Sequence, residues 1–177
     1  MKLVVEQLDT NNFKHLNQCD SSFQVDSRLN LFAENGLIRY NVIETPPYTK
    51  RFPIEKLDYT DYLDNPHKTA YLALVDGQLA GQIILRKYWN NYAYVDDIAV
   101  DVHFRRQGIG RALIAQAVEW TKTAGLPGIM LEAQNNNLAA CRFYERCGFQ
   151  LAGFDRLLYS GIMPDTDEIA LYWYLLF

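Results

Sequence analysis

One short run constrains this sequence more than any other: Arg105-Arg106-Gln107-Gly108-Ile109-Gly110, set between an apolar segment, Tyr92 to Val100, and an amphipathic one, Gly108 to Ala124. A strand that turns through glycines directly into a helix exposes the first helical amides, which have no partner inside the helix. Those amides and the helix dipole favour an anion, and glycine lets the backbone approach it closely. Arg105, Arg106 and Arg111 add cationic partners suited to phosphate. The run is not the GxGxxG of a dinucleotide fold, because Ala112-Leu113 stand where the third glycine belongs, and it lacks the GK[ST] of a triphosphate loop. A glycine turn that merely caps a helix is the alternative, and three flanking arginines weigh against it.

The surrounding pattern places this loop in an α/β (α+β) domain. Lys2 to Leu8 reads as a strand, and Phe23 to Glu34 with Leu37 to Glu44 as a hairpin about Asn35-Gly36. The segment TPPYTKRFPIEKLDYTDYLDNPHKT reads as an irregular or helical excursion. Tyr71 to Val75 and Gln78 to Lys87 form a second hairpin about Asp76-Gly77, and Tyr92 to Val100 follows as a strand. In the helix Gly108 to Ala124, the residues Ile109, Leu113, Ala117 and Trp120 share one face. Ile129 to Ala133 is a short buried strand and Asn137 to Cys147 a second helix. Phe149 to Tyr159 and Ile169 to Leu176 read as closing strands. Strands alternating with helices imply a mixed sheet with helices on its faces.

Composition narrows the classes. A length of 177 residues suits one domain, and a formal net charge of −4 argues against nucleic acid. Cys19, Cys141 and Cys147 form no CxxC pair and no even set, so a reducing compartment, the cytoplasm, is expected. No apolar stretch is long enough for a signal or a membrane span. His15, His67 and His103 show no metal-ligand spacing, and no metal is expected.

A second constellation, NNNLAACRFYERCGF, opens with Asn137, a residue suited to cap the helix that follows. Tyr144 lies within that helix. Among 12 tyrosines, one packed as core with a satisfied hydroxyl is the ordinary case. Three carboxylates, Asp96, Asp97 and Glu132, fall on the two strands beside these motifs. Strand alternation predicts that Asp96 and Asp97 point to opposite faces, so that only one faces a substrate.

The run VDDIAVDVHFRRQGIGRALI resembles the signature of the GNAT superfamily, whose R/Q-x-x-G-x-G/A loop grips the coenzyme A pyrophosphate. The second run resembles the family's N-x-x-A-x-x-x-Y-x-x-x-G-F element, with Asn137, Ala140, Tyr144, Gly148 and Phe149 in register. The resemblance implies a central mixed, mostly antiparallel sheet with splayed central strands and flanking helices. It implies a single domain, residues 1–70 forming a variable acceptor-side part and 71–177 the coenzyme A-binding core. It also implies acetyl-coenzyme A as cosubstrate. The main chain of Ile98, Ala99 and Val100 would hold the pantetheine arm, an amide near Ile98 would stabilise an oxyanion, and Arg105, Arg106, Gln107, Gly108, Ile109, Gly110, Arg111 and Asn137 would contact the coenzyme. Tyr144 would touch it too and serve as general acid, since a phenol (pKa about 10) can protonate a thiolate whose thiol titrates at about 8–9. Glu132 or Asp97 would take the proton of the acceptor amine, with Asp96 also in view. Asp101-Val102-His103 departs from the proline that many members carry, which concerns loop shape alone.

Further segments, including PPYTKRF, LDYTDYLDN and LRKYWNNYAYVDDIAV, resemble the streptothricin acetyltransferases within that superfamily. The implied reaction is acetylation of an amine on the β-lysine moiety of streptothricin, a cationic small molecule. Tyr48, Trp89, Tyr94 and Asp96 would bind it through cation–π and ion-pair contacts. Acetylases of ribosomal protein N-termini or of polyamines share the core motifs and remain alternatives, and a coenzyme A-sensing module without catalysis is a remote one. Dimerisation, common in the superfamily, is carried over as an expectation.

Overall fold

The computed structural model describes residues 2–53 and 58–177. In chain order its first strands are β1 (Leu3–Gln7), β2 (Phe23–Glu34), β3 (Leu37–Lys50), β4 (Lys68–Val75), β5 (Gln78–Lys87) and β6 (Ala93–Val100). Helix α1 (Ile109–Thr123), β7 (Gly128–Gln134), α2 (Leu138–Arg146), β8 (Gln150–Asp155) and β9 (Ala170–Leu176) follow. The chain forms two compact units, residues 1–22, 51–129 and 177 in one and 23–50 and 130–176 in the other. Among the described residues no helix is long and apolar enough to cross a membrane.

In the first unit β1, β4, β5 and β6 lie side by side in that order, each antiparallel to its neighbour. Asp76 and Gly77, with φ of 48° and 84°, form the tight turn between β4 and β5. Ala80 to Leu85 are buried without interruption, as expected of a strand covered on both faces. One face receives α1 through Ile109, Leu113, Ile114, Ala117 and Thr121. Trp120, expected on that face, is half-buried at its edge, and Thr121 takes the buried place by donating its hydroxyl to Ala117 O at 2.6 Å. Leu8, Leu16, Tyr59, Leu72 and Ile84 form a second cluster, and each such aliphatic side chain contributes roughly 1.5–3 kcal/mol on full burial.

The second unit begins with the β2–β3 hairpin, turned by Asn35 and Gly36 at φ of 52° and 76°. Its strand order is β7, β9, β8, with β8 and β9 antiparallel, and α2 packs on β2. Asn135 ties the unit together: Nδ2 donates to Leu29 O at 3.1 Å and Oδ1 accepts from Ile169 N at 2.9 Å.

Two expectations are corrected. Thr45 to Lys50 is not irregular but continues β3 through Pro46 and Pro47. The ladder is irregular there, passing from Ser27 opposite Glu44 to Val25 opposite Tyr48, so the two prolines, which have no N–H to give, fall where pairing is interrupted. The remainder of that excursion includes a 3-10 turn, Tyr59–Tyr62, capped by Asp58, and its residues 54–57 lie outside the described chain. The strand expected over Phe149 to Tyr159 stops at Asp155, whose Oδ1 accepts from Leu157 N (2.7 Å) and Leu158 N (3.1 Å) and starts a 3-10 turn instead.

Gly81 sets the distance between β5 and α1. A Cβ at this position would lie 2.8 Å from Ala99 O, 3.1 Å from Ile109 Cγ2 and 3.2 Å from Leu113 Cδ1. Because the nearest atom is backbone, Gly81→Ala is expected to destabilise the protein by about 1–3 kcal/mol, the usual range for overpacking. Equilibrium denaturant unfolding checks this, and an unchanged midpoint would mean that α1 and β6 yield freely.

Candidate active site

The phosphate-type loop is built as its residues dictate. β6 ends at Val100 and Asp101 follows, whose Oδ1 accepts from His103 N at 3.0 Å and whose Oδ2 accepts from Asp20 N at 2.9 Å. This side chain shapes the turn that follows the strand. Arg105 is committed to the scaffold: Nη2 donates to Ser22 O at 2.7 Å and Nε to Val100 O at 3.2 Å. Arg106 and Gly108 take φ of 62° and 85°, and Arg106, Gln107, Gly108 and Arg111 are exposed. Ala112 N bonds Gly108 O at 3.1 Å, so the amides of Ile109, Gly110 and Arg111 precede the first helical bond. Nothing lies within 4 Å of where a Gly108 Cβ would stand. A left-handed glycine under open space, a helix N-terminus and two exposed arginines fit a pyrophosphate.

The same strand forms the wall of a cavity of about 450 Å³. Along β5, alternation puts Gln82, Ile84 and Arg86 on the cavity side, and all three line it. Opposite them on β6, Gln82 pairs with Ala99 and Ile84 with Asp97, but Leu85 pairs with Val95. Asp96 is therefore an extra residue, a β-bulge. The bulge cancels the alternation, and Asp96 and Asp97 both line the cavity. The expectation that they face opposite ways is thus overturned.

The two carboxylates have different partners. Arg86 Nε donates to Asp96 Oδ1 and Oδ2 at 2.8 and 3.0 Å, and Tyr62 OH donates to Asp96 Oδ2 at 3.3 Å. Burial, then the Asp96 charge, pushes Tyr62 up to about 12, so it remains a neutral donor. Asp97 Oδ2 accepts from Gln82 Nε2 at 2.7 Å. Burial raises the Asp97 carboxyl above its ordinary value, opposed by that hydrogen bond and reinforced by the Asp96 charge. Gln82, 2% exposed, has no freedom to turn. Its Oε1 accepts from Asn17 N (2.7 Å) and its Nε2 also donates to Asn17 Oδ1 (2.7 Å), so the amide must offer its remaining hydrogen to Asp97. Cys19 also lines the cavity, as a neutral thiol pushed up to about 12 by burial and then by Asp101 and Asp97.

The remaining candidates occupy other places. Trp89 is 82% exposed in the turn between β5 and β6. Tyr94 stacks on Tyr88 at 4.7 Å between ring centroids, and both rings lie under the Arg86 guanidinium, at 5.4 and 4.9 Å. In the second unit, Asn137 caps α2 by accepting from Ala140 N at 3.2 Å. Tyr144 is buried, its ring 5.8 Å from Phe149 and 6.2 Å from Trp173. Glu132 accepts from Tyr159 OH at 2.6 Å, and Tyr48 OH accepts from Asn136 Nδ2 at 3.1 Å. Sequence reasoning missed Asn17, Gln82 and Arg86. A signal existed for Gln82, a lone polar residue inside the apolar run Leu79 to Leu85.

Residues 37–149 match the model of the acetyltransferase (GNAT) family. Streptothricin acetyltransferase A of Bacillus subtilis (strain 168) is 36% identical over 167 residues, covering 94% of this chain and 95% of that protein. A streptothricin acetyltransferase of Escherichia coli is 38% identical over 152 residues, covering 81% and 87%. A crystal structure described as a streptothricin acetyltransferase of Bacillus anthracis strain Ames, in complex with acetyl coenzyme A, superposes with a TM-score of 0.94. It has 47% identity and covers 99% of this chain and 100% of that one. The fold is the mixed α/β fold of these enzymes, a large mixed sheet with two helices. The chain belongs to the GNAT family and, within it, is an acetyl-coenzyme A-dependent acetyltransferase of the streptothricin acetyltransferase type.

Proposed function

We propose that this enzyme acetylates a primary amine of a cationic small molecule, the β-lysine moiety of streptothricin, and so inactivates the antibiotic. The observation that carries the reading is the pair of adjacent carboxylates, Asp96 and Asp97, on the wall of one cavity flanked by Tyr59 and Tyr62. Carboxylates and aromatic faces together suit an ammonium at the end of a methylene chain. The names of the relatives, streptothricin acetyltransferases over most of their length, support the substrate.

Acetyl-coenzyme A supplies the thioester from which the acetyl group leaves. In this reading the amides of Ile109, Gly110 and Arg111, with the Arg106 and Arg111 side chains, hold its pyrophosphate. Gln107 and Gly108 shape the loop, Arg105 braces it, and the main chain of Ile98, Ala99 and Val100 orients the arm. Asp97 takes the proton of the entering ammonium, so that a free amine attacks. Its raised pKa narrows the gap to the amine and favours that transfer. Asp96 helps to hold the substrate. Tyr144 returns a proton to the thiolate, on the strength of its register in the second motif, and Asn137 supports that helix end. Glu132, bonded to Tyr159, is the competing base. Tyr48, Trp89 and Tyr94 form outer acceptor contacts.

Thiol release from acetyl-coenzyme A is expected with streptothricin and not with spermidine or a ribosomal N-terminal peptide. Turnover with either of the latter instead would overturn the substrate assignment and leave the enzyme class standing. Gly108→Val is expected to weaken acetyl-coenzyme A binding tenfold or more by calorimetry, since it fills the open space and strains a left-handed residue. Wild-type affinity in that variant would place the pyrophosphate elsewhere.

Asp97→Asn tests the base. It is expected to lower kcat about 10²–10⁴-fold, the usual range for general-base catalysis. Glu132→Gln, by contrast, is expected to retain most of the turnover, and the reverse ranking would assign the base to Glu132. The same variant gives a stability check whose sign follows from the raised pKa. Folding disfavours ionised Asp97, and this destabilisation is absent below the ordinary value of 3.8 and complete above the folded value. Melting temperatures should therefore show Asp97→Asn gaining on the wild type as pH rises from 4 to 8. A gap independent of pH would show that Asp97 is not desolvated.

A further inference from the structure

The titratable or charged groups among the described residues that line the cavity are Cys19, Tyr59, Tyr62, Arg86, Asp96 and Asp97. Arg86 bonds Asp96, and the Cys19 thiol and Tyr62 phenol, both pushed up to about 12, carry no charge near neutral pH. The hydrogen that Asp97 accepts comes from Gln82, and Gln82 is itself held by Asn17. Asn17 follows Leu16, which is buried in one cluster with Tyr59 and Ile84, and it takes the left-handed φ of 61° that asparagine tolerates. From there it bonds in two directions. Its main-chain N–H donates to Gln82 Oε1 at 2.7 Å, and its Oδ1 accepts from Gln82 Nε2 at 2.7 Å. Its Nδ2 donates to Tyr59 OH at 2.6 Å. A Gln82 amide turned over would set its oxygen against the Asp97 carboxylate and its NH₂ against the Asn17 N–H, two mismatches in a buried place.

We infer that Asn17 is a positioning residue for acetyl transfer: its main chain holds the Gln82 amide hydrogen toward Asp97 and its side chain holds the Tyr59 hydroxyl, so that base and aromatic wall keep one mutual geometry. The inference rests on the reading of Asp97 as base for an amine that enters this cavity. An ammonium lying against the Tyr59 ring is then presented to Asp97 in one orientation, and Asp96 keeps its part in holding the substrate. The two halves of Asn17 have separate consequences. The main-chain link bears on the ionisation of Asp97, because a hydrogen bond given to a carboxylate favours its charged form. The side-chain link bears on how firmly the amine is held.

The test is the pH dependence of kcat/KM with streptothricin as acceptor, in the wild type, Gln82→Met, Asn17→Gly, Tyr59→Phe, the Asn17→Gly/Tyr59→Phe double variant and Asp97→Asn. Thermal unfolding confirms that each is folded. Gln82→Met removes the hydrogen given to Asp97, and the acid limb is expected to move up by about 1–2 pH units, the equivalent of one hydrogen bond to a charged group. Asn17→Gly keeps both the N–H and the left-handed backbone. Its acid limb is therefore expected to stay in place, while KM for the acceptor rises about threefold or more with a smaller change in kcat. A limb displaced as far as in Gln82→Met would overturn the assignment to the main chain. Tyr59→Phe keeps the ring and should raise KM similarly, and the double variant should be no worse than either single one, since both break the same link. Additive effects, or a wild-type KM in Asn17→Gly, overturn the positioning role. An unmoved limb in Gln82→Met, with the limb lost in Asp97→Asn, overturns the Gln82 link. Failure of the underlying reading has a different signature: Asp97→Asn would then retain the wild-type acid limb, whatever the other variants do to KM.

Discussion

A single inserted residue in β6 decides which side chains line the cavity of this protein. In a regular strand Asp96 and Asp97 would point to opposite sides of the sheet, one toward the cavity and the other away from it. The bulge between the Ile84–Asp97 and Leu85–Val95 pairs removes that choice. It interrupts one step of the ladder and in return puts two consecutive carboxylates on one wall. β5 is arranged to meet them: Gln82 and Arg86, four residues apart on the same face, each engage one of the pair. Neither partner would be useful without the bulge, and without the partners two bare carboxylates would repel one another in a partly desolvated space.

The other half of the site depends on how near α1 can come to the sheet. Gly81 lies opposite Val100, at the end of β6 that leads into the loop, and the space a side chain would need is already filled by Ala99 O, Ile109 and Leu113. The helix N-terminus is thereby fixed against the strand that precedes it. Arg105 completes the fixing by bonding two carbonyls, Val100 O and Ser22 O. This is a different task from the phosphate contact that its place in the motif suggests. The cations left facing outward are Arg106 and Arg111, on either side of a glycine whose surroundings are open.

What the sequence made legible was local, and what it hid was tertiary. The loop Arg105 to Gly110, the Asn137 cap and the Asn35-Gly36 and Asp76-Gly77 turns are each decided within a few residues, and each stands where the pattern puts it. Pro46 and Pro47 looked like the start of an irregular segment because proline cannot donate to a ladder. An interruption in pairing with β2 absorbs both, and nothing in the segment itself announces that register. The end of β8 is hidden in the sequence because Asp155 resembles any polar strand residue until its side chain captures two amides. The bulge at Asp96 is invisible for the same reason, since an extra residue in a strand is defined only by the strand beside it. Gln82 was the one tertiary feature with a local trace.

That trace bears on how two identical side chains come to do different work. Asp96 and Asp97 share a backbone, a cavity and a solvent, so their difference is set by what touches them. A guanidinium delivers charge as well as hydrogen bonds and turns Asp96 into half of an internal ion pair. A primary amide delivers a hydrogen bond alone, and the amide of Gln82 cannot turn its oxygen toward Asp97 because Asn17 N–H already claims it. Asp97 is thus held in place as an acceptor while its charge stays uncompensated, and burial makes that charge costly until a cation arrives. On the proposed assignment of Asp97 as base, an entering ammonium would relieve that cost by binding and again by giving up its proton, so the same desolvation would favour both capture and the deprotonation that acetyl transfer requires.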